Sequence, residues 1–471
     1  MQTNLSDTGL AISRQEAGLA GGATRSAQLP EAFAGKPARL AALHRMVIVG
    51  GGAGGLELAA RLGDDMGRSE KAEIVLVDAT LTHLWKPLLH EVAAGTLGPS
   101  ENEFDFLQQA REHHFRFELG KLAAVDRLRK QIWLAPLVDE AGLEIAASRP
   151  IDYATLVICI GAVDNDFGTP GVRTHAHSLN SKADAERFHR RLLALCARAE
   201  LGSGDPVRVA IVGGGATGCE LAAELASAAD IIASYGVQLA RLRRPLRITL
   251  IEMEPRLLGA LPADVAARVH TDLLARDIGI RLGRRVAEVS AGGIVLDDDE
   301  HIDCELTVWA AGVRGQDILQ SLDGLAINRQ GQLLVLATLQ TTEDENVFAF
   351  GDCASCRPRL FAPPVPPTAQ AAGQQAKLLA VSLSRRVAGK TLLLFNYEGR
   401  GSIVSLGHDD AVGKVATRYG HELTVDGLAA RFTYWILYRR HLALLLGTIR
   451  TFILTVGQWL STRIQPRVKL H

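Results

Sequence analysis

One short glycine pattern occurs twice in this chain, each time between a β-like run and a helix-like run. The first copy, Gly50-Gly-Gly52-Ala-Gly-Gly55, follows Met46-Val-Ile-Val49 and opens Leu56-Glu-Leu-Ala-Ala-Arg-Leu62. The second, Gly213-Gly-Gly215-Ala-Thr-Gly218, follows Val207-Arg-Val-Ala-Ile-Val212 and opens Cys219-Glu-Leu-Ala-Ala-Glu-Leu225. A lone copy would mean little among 46 glycines. Two in the same context constrain the fold strongly. The first glycine of each makes the strand-to-helix turn, the second lets a pyrophosphate approach the backbone, and the third lets helix lie on strand. The helix N-terminus then offers unpaired N–H groups to the phosphates. A ribose-binding acid is expected at the end of the next strand. Glu73-Ile-Val-Leu-Val-Asp78 ends in Asp78, and Arg247-Ile-Thr-Leu-Ile-Glu252 ends in Glu252. The chain is therefore expected to hold two dinucleotides in two α/β units.

At 471 residues there is chain for several domains, and 47% hydrophobic content reads as globular. The net charge of −1 hides an asymmetry. Residues 427–471 contain none of the 52 Asp+Glu but seven of the 51 Lys+Arg, namely Arg431, Arg439, Arg440, Arg450, Arg463, Arg467 and Lys469. A basic, apolar tail on an acidic body points to an anionic membrane surface, and no basic stripe for nucleic acid is present. The six cysteines are scattered, as in a reducing compartment. Cys353 and Cys356 read as structural thiols in a turn. Residues 1–44 lack a secretory signal and read as a disordered extension.

Residues 45–204 and 316–395 are expected to form one discontinuous nucleotide-binding domain, residues 205–315 a second, and residues 396–471 a C-terminal region. Helical patterns are expected over Ser181–Glu200, Thr368–Ser384 and Leu428–Ile464. Arg439, Arg440 and Arg450 leave the tail with uncharged runs of at most 12 residues, too short to span a bilayer. On one continuous helix Arg439 and Arg450 would share a face. Trp435, Leu442, Leu446, Ile449, Phe452, Ile453 and Trp459 supply apolar surface, and the pattern fits helices lying in the membrane interface.

The order of these motifs resembles the two-dinucleotide-binding flavoproteins, and within them the type II NADH:quinone oxidoreductases of the proteobacterial branch. The resemblance runs over residues 46–471. It is carried by Val47–Ala60, Asp78, His83-Leu-Trp-Lys-Pro-Leu-Leu-His-Glu-Val92, Gly213–Leu225 and Trp309-Ala-Ala-Gly-Val313. Phe350-Gly-Asp-Cys-Ala-Ser-Cys356, Ala369-Gln-Ala-Ala-Gly-Gln-Gln375 and Pro466-Arg-Val-Lys-Leu-His471 complete it.

The resemblance implies two Rossmann-like, glutathione-reductase-like domains with a C-terminal amphipathic helical membrane anchor. Non-covalent FAD would lie on Gly50, Gly52, Gly54 and Gly55, with Asp78 on its ribose, Asp352 on its ribityl chain and Lys86 nearby. NADH, as substrate, would lie on Gly213, Gly215 and Gly218 with Glu252 on the ribose 2′-OH. That carboxylate would repel the 2′-phosphate of NADPH. Hydride passes from nicotinamide to flavin and two electrons pass on to a membrane quinone, with no metal required and no proton pumping. Gln370 and Gln374 are the quinone-pocket residues implied, and Glu220 a proton relay or organiser of water. His90 is set against the flavin or the mouth of the site. The enzyme would sit at the cytoplasmic face of the inner membrane, with a homodimer left open. The competing reading is a sulfide:quinone oxidoreductase or another FAD-dependent pyridine nucleotide oxidoreductase. A sulfide enzyme needs reactive cysteines flanking the flavin.

Overall fold

A computed structural model describes residues 43–98, 102–202, 205–234, 245–359, 361–407, 410–416 and 422–461. The expectations for residues 1–42, for Arg463, Arg467 and Lys469, and for the closing Pro466–His471 motif lie outside the described residues.

Each glycine pattern opens a five-stranded parallel sheet. The first sheet runs in the order Val347–Ala349, Thr155–Ile158, His44–Val49, Ala72–Asp78, Arg116–Leu119. The second runs Ala176–His177, Leu306–Trp309, Val207–Val212, Leu246–Glu252, Gly279–Leu282. The central strands are continuous apolar runs because helices cover both faces of a parallel sheet. Met46, Val47, Ile48, Val209, Ala210 and Ile211 are all buried. Each unit also carries a three-stranded antiparallel sheet: Leu122–Asp126, Gln131–Leu134 and Arg149–Asp152 in one, and Val286–Ser290, Gly293–Leu296 and His301–Asp303 in the other. The chain passes between the units twice, and the two crossings pair as antiparallel strands, Ala162–Asp164 with Val313–Gly315.

Local sequence explains the long helices. Ser181 and Asp184 form a reciprocal capping box at the start of Lys182–Leu201. Thr368 caps Ala369–Val387 by accepting from the Ala371 N–H. Beyond these, Gly401–Ser405, Ala411–Ala416 and Glu422–Asp426 make an antiparallel sheet that leads into the C-terminal helices.

The tail forms two helices, which separates Arg439 from Arg450. Gly427–Leu446 and Thr448–Ser461 are separate helices, broken at Gly447 with φ +78°. Arg439 and Arg450 therefore do not share a face. Arg439 lies over the Trp435 and Tyr438 rings and donates to Gln458. Arg450 pairs instead with Glu112. Leu442, expected on the lipid-facing surface, is fully buried with Leu445 and Tyr438 in the same core as the first sheet. Burying each leucine stabilises by about 1.5–3 kcal/mol, so this helix is part of the fold as well as its edge. Leu428, Phe432, Trp435, Ile436, Ile449, Phe452, Ile453 and Val456 remain exposed. Among the described residues no helix is long and apolar enough to cross a membrane.

Candidate active site

The two glycine cradles are built alike. Gly50 has φ +111° and Gly213 φ +113°. A Cβ on Gly50 would lie 2.4 Å from the Cys159 carbonyl oxygen, and one on Gly213 would lie 2.4 Å from that of Ala310. The third glycines, Gly55 and Gly218, rest on the first, where a Cβ would meet the Gly50 or Gly213 carbonyl oxygen at 1.8 or 1.9 Å. The second glycines differ in kind. A Cβ on Gly52 or Gly215 would meet nothing within 4 Å. That is the opening a pyrophosphate needs, and it is what identifies both cradles as able to hold a dinucleotide. Gly54 faces inward instead, against Phe350 and Ala372, so its role is helix packing.

The two acids hold matching positions. Asp78 accepts from the Gly51 N–H at 2.5 Å, and Glu252 accepts from the Gly214 N–H at 2.6 Å. Asp78 also accepts from the Thr80 N–H and hydroxyl, and Glu252 from the Glu254 N–H. Each carboxylate thus sits at the lip of its cradle, already oriented by backbone donors.

Asp352 follows the strand Val347–Ala349 on a turn that Gln375 fastens, its buried side chain accepting from the Gly351 N–H at 2.9 Å. Gln332 donates to the Asp352 carbonyl. Burial pushes the Asp352 carboxyl up, and Lys86 beside it pulls it back down. Lys86 also reaches the Ala162 carbonyl at 3.4 Å and faces Asp164. Burial raises Asp164 to about 6 against the pull of Lys86, and its Oδ2 has no hydrogen-bond partner among the described residues. One cation between two half-buried acids is suited to the polar edge of a flavin. The sequence reading missed Asp164 and Gln375. The signal for Asp164 was its place at the end of a strand just beyond Gly161, where the chain leaves the first sheet.

Gln370 and Gln374 are occupied by backbone. Gln370 accepts from the Arg400 N–H at 3.0 Å and the Tyr397 hydroxyl at 3.1 Å, and donates to the Gly401 carbonyl. Gln374 exchanges two bonds with the backbone of Glu398. These amides clasp residues 397–401 to the helix. Opposite Gly373, a Cβ would meet Glu57 Oε2 at 3.4 Å.

Glu220 is not the solvated helix-start charge that its position also allows. One oxygen accepts from the Ser405 N–H at 3.1 Å, and the other lies 3.7 Å from His90 Nδ1. Burial raises its pKa to about 8, and Glu224 adds to the rise. His90 is held neutral by burial, with a pKa of about 4. The strand Gly401–Ser405 accordingly joins the two regions, bonded to Gln370 at one end and to Glu220 at the other.

All six cysteines are free and buried. Burial pushes Cys353 up to about 12 and Cys356 up to about 11, and it holds Cys159 well above the ordinary thiol range. Buried thiols held in the neutral form are poor nucleophiles.

Two parallel-sheet nucleotide folds, each with an open second glycine and an acid at its lip, define the class: a two-dinucleotide oxidoreductase. The model of the pyridine nucleotide-disulphide oxidoreductase family matches residues 44–376. A type II NADH:quinone oxidoreductase of Haemophilus influenzae is 39% identical over 446 residues, covering 91% of this chain and all of that protein. One from Mycobacterium tuberculosis is 28% identical over 433 residues, 87% of each chain. Among solved structures, NDH2 from Plasmodium falciparum in complex with NADH shares the fold at a TM-score of 0.77 and 18% identity, covering 91% of this chain and 99% of that one. The sulfide:quinone oxidoreductase of Aquifex aeolicus shares it at 0.67 and 19% identity, covering 86% and 92%. Fold alone does not separate these two activities, whereas the 39% identity to the Haemophilus influenzae protein does. The chain belongs to the type II NADH:quinone oxidoreductase family.

Proposed function

We infer that this chain is a flavin-dependent NADH:quinone oxidoreductase whose first cradle holds FAD and whose second takes NADH. The doubled cradle with its two lip acids carries this reading. Residues 45–204 with 316–395 are assigned to the flavin domain and 205–315 to the NADH domain. Bound flavin supplies the two-electron chemistry, taking a hydride from nicotinamide and giving both electrons to quinone. The protein's part is to bind, orient and manage protons. Gly50, Gly52 and Gly55 admit the FAD pyrophosphate, Asp78 receives its ribose, and Lys86, Asp164 and Asp352 meet the flavin's polar edge. Gly213, Gly215 and Gly218 do the same for NADH. Under anaerobic conditions, purified protein should oxidise more than one equivalent of NADH only when a short-chain quinone is present. Anaerobic turnover of NADH at a rate that quinone does not raise would refute the assignment.

Glu252 assigns the nucleotide. A carboxylate fixed by the Gly214 N–H at 2.6 Å suits a ribose 2′-OH and repels a 2′-phosphate. Glu252→Ala should reduce the NADH-over-NADPH ratio of kcat/KM at least tenfold, a change of about 1.4 kcal/mol. Equal kcat/KM for the two nucleotides in the unmodified enzyme would contradict it.

The exposed apolar residues of the two C-terminal helices are assigned to the membrane interface, and the basic region 428–471, with Arg440 exposed, to an anionic lipid surface. This docks the enzyme on the cytoplasmic side, where quinone is reached from the bilayer and NADH from water. Ile449 and Phe452 are 76% and 67% exposed, so changing both to glutamate leaves the core intact. Each contributes about 1.5–3 kcal/mol if buried in lipid. The double variant should leave the membrane pellet for the supernatant while keeping its flavin and its rate with a water-soluble quinone. Continued membrane binding would move the anchor elsewhere.

A further inference from the structure

A short stretch of backbone joins the second cradle to the polar edge of the flavin site. Trp309 ends the strand beside Val207–Val212, and the Ala310 N–H donates to the Val212 carbonyl at 2.7 Å. Ala310 and Ala311 then close on Gly213, with backbone atoms 2.4 and 2.8 Å from where its Cβ would stand. The Gly312 carbonyl accepts from the Asn165 N–H at 2.9 Å, and Val313 pairs with Asp164. Asp164 faces Lys86, which lies beside Asp352. Residues 310–313 therefore run from the floor of the second cradle to the cation at the flavin edge, at most about 13 Å of extended chain. Ligands of parallel sheets lie outside the carboxyl ends of the strands. A dinucleotide held at Gly215 and reaching for flavin passes over this stretch.

Two residues mark the passage. Gly312 is exposed at φ +118°, and the Phe167 ring comes within 3.6 Å of its Cβ position. Phe167 is itself 63% exposed and takes φ +50°, a conformation that bulky side chains rarely adopt. Neither hydrophobic burial nor an easy backbone accounts for that placement. The loop around the ring is instead held from several sides. Asn165 Oδ1 accepts from the Phe167 N–H at 3.0 Å, and Asp166 Oδ1 from the Gly168 N–H at 3.1 Å. The Trp309 indole N–H donates to the Asn165 carbonyl at 2.7 Å, and Arg173 pairs with Asp166. The Pro170 carbonyl accepts from the Val289 N–H at 3.0 Å. Strain that the surroundings over-determine in this way clusters where ligands are clamped.

We propose that Phe167 is a specificity-determining contact for the nicotinamide half of NADH. Its ring and the bare backbone of Gly312 are two walls of a slot through which nicotinamide and its ribose pass from the second cradle to the flavin. This rests on the reading that the second cradle takes NADH, and adds to it the residue that guides the reacting end. An aromatic ring meets a flat heterocycle edge-on or offset-stacked. It offers a phosphate no donor and no charge, so its contribution falls on the nicotinamide half alone.

The test uses the full-length, flavin-loaded enzyme and two nucleotides that leave oxidised flavin unchanged. ADP carries the half that fits the cradle, and NAD+ carries both halves. By calorimetry, Phe167→Ala should bind NAD+ about tenfold more weakly, about 1.4 kcal/mol, with ADP affinity held within about twofold. In turnover, kcat/KM for NADH should fall by a similar factor while KM for quinone stays the same. Phe167→Tyr, which keeps the ring, should match the unmodified enzyme. Phe167→Gly removes the ring and accepts φ +50° without strain. It should therefore fold even where the alanine variant does not, and show the same selective loss. NAD+ binding unchanged in Phe167→Gly would overturn the slot, and so would equal weakening of ADP and NAD+. An unmodified enzyme that binds neither nucleotide would overturn the NADH assignment of the second cradle, a separate failure.

Discussion

Gly50→Ala is expected to yield little folded, flavin-bearing protein. The added Cβ would stand 2.4 Å from the Cys159 carbonyl oxygen, 2.7 Å from its carbon and 2.9 Å from Ile160 Cα, all of them backbone atoms just past the end of the strand Thr155–Ile158. None can swing away as a side-chain end would. The residue also sits at φ +111°, where a side chain is strained even with space around it. Backbone strain of this kind costs of order 1–3 kcal/mol, and forced overpacking adds about 1–3 kcal/mol. Together that is a large share of the roughly 5–15 kcal/mol that holds a native fold. Thermal unfolding followed by flavin fluorescence should show the midpoint lowered by roughly 10 °C, or no cooperative transition. A variant with an unchanged midpoint and full flavin content would mean the turn is not built as described.

Valine at the second glycine of each cradle should have the opposite profile, with the fold kept and the ligand lost. Nothing lies within 4 Å of the Cβ position at Gly52 or Gly215, so the substitution meets no protein atom there. The branched side chain would instead fill the space that a pyrophosphate takes. Gly52→Val should purify as a folded but colourless protein, with FAD affinity down on the order of a hundredfold, about 3 kcal/mol. Gly215→Val should remain yellow while its KM for NADH rises by a similar factor. The pair assigns each nucleotide to its cradle. Loss of flavin from Gly215→Val, with NADH binding kept in Gly52→Val, would exchange the two assignments.

The cradles were legible in the sequence because each depends on a few adjacent residues, a tight turn and an acid at a fixed distance along the next strand. Asp78 and Glu252 end their strands as expected and even accept from the equivalent glycine N–H. What was not legible depends on distant parts of the chain. Gln370 and Gln374 have the right chemistry for a quinone carbonyl, yet residues 397–401 supply backbone partners that no local pattern announces. Glu91 resembles a solvated helix charge until Glu220, Glu224 and Tyr434 are brought around it by three separate elements. In the tail, the mark of the break was present in Gly447, whose lack of a Cβ permits φ +78°. The apolar periodicity on both sides masked it. Leu442 and Ile449 are equally apolar in sequence, and only packing decides that one enters the core while the other stays exposed.

The central claim is that electrons pass from NADH through a bound flavin to quinone, and two anaerobic half-reactions test it most directly. One equivalent of NADH should bleach the flavin absorption of the purified enzyme, and one equivalent of a short-chain quinone should then restore it. A flavin that NADH leaves oxidised while sulfide bleaches it, or a bleached flavin that quinone does not restore, would contradict the account.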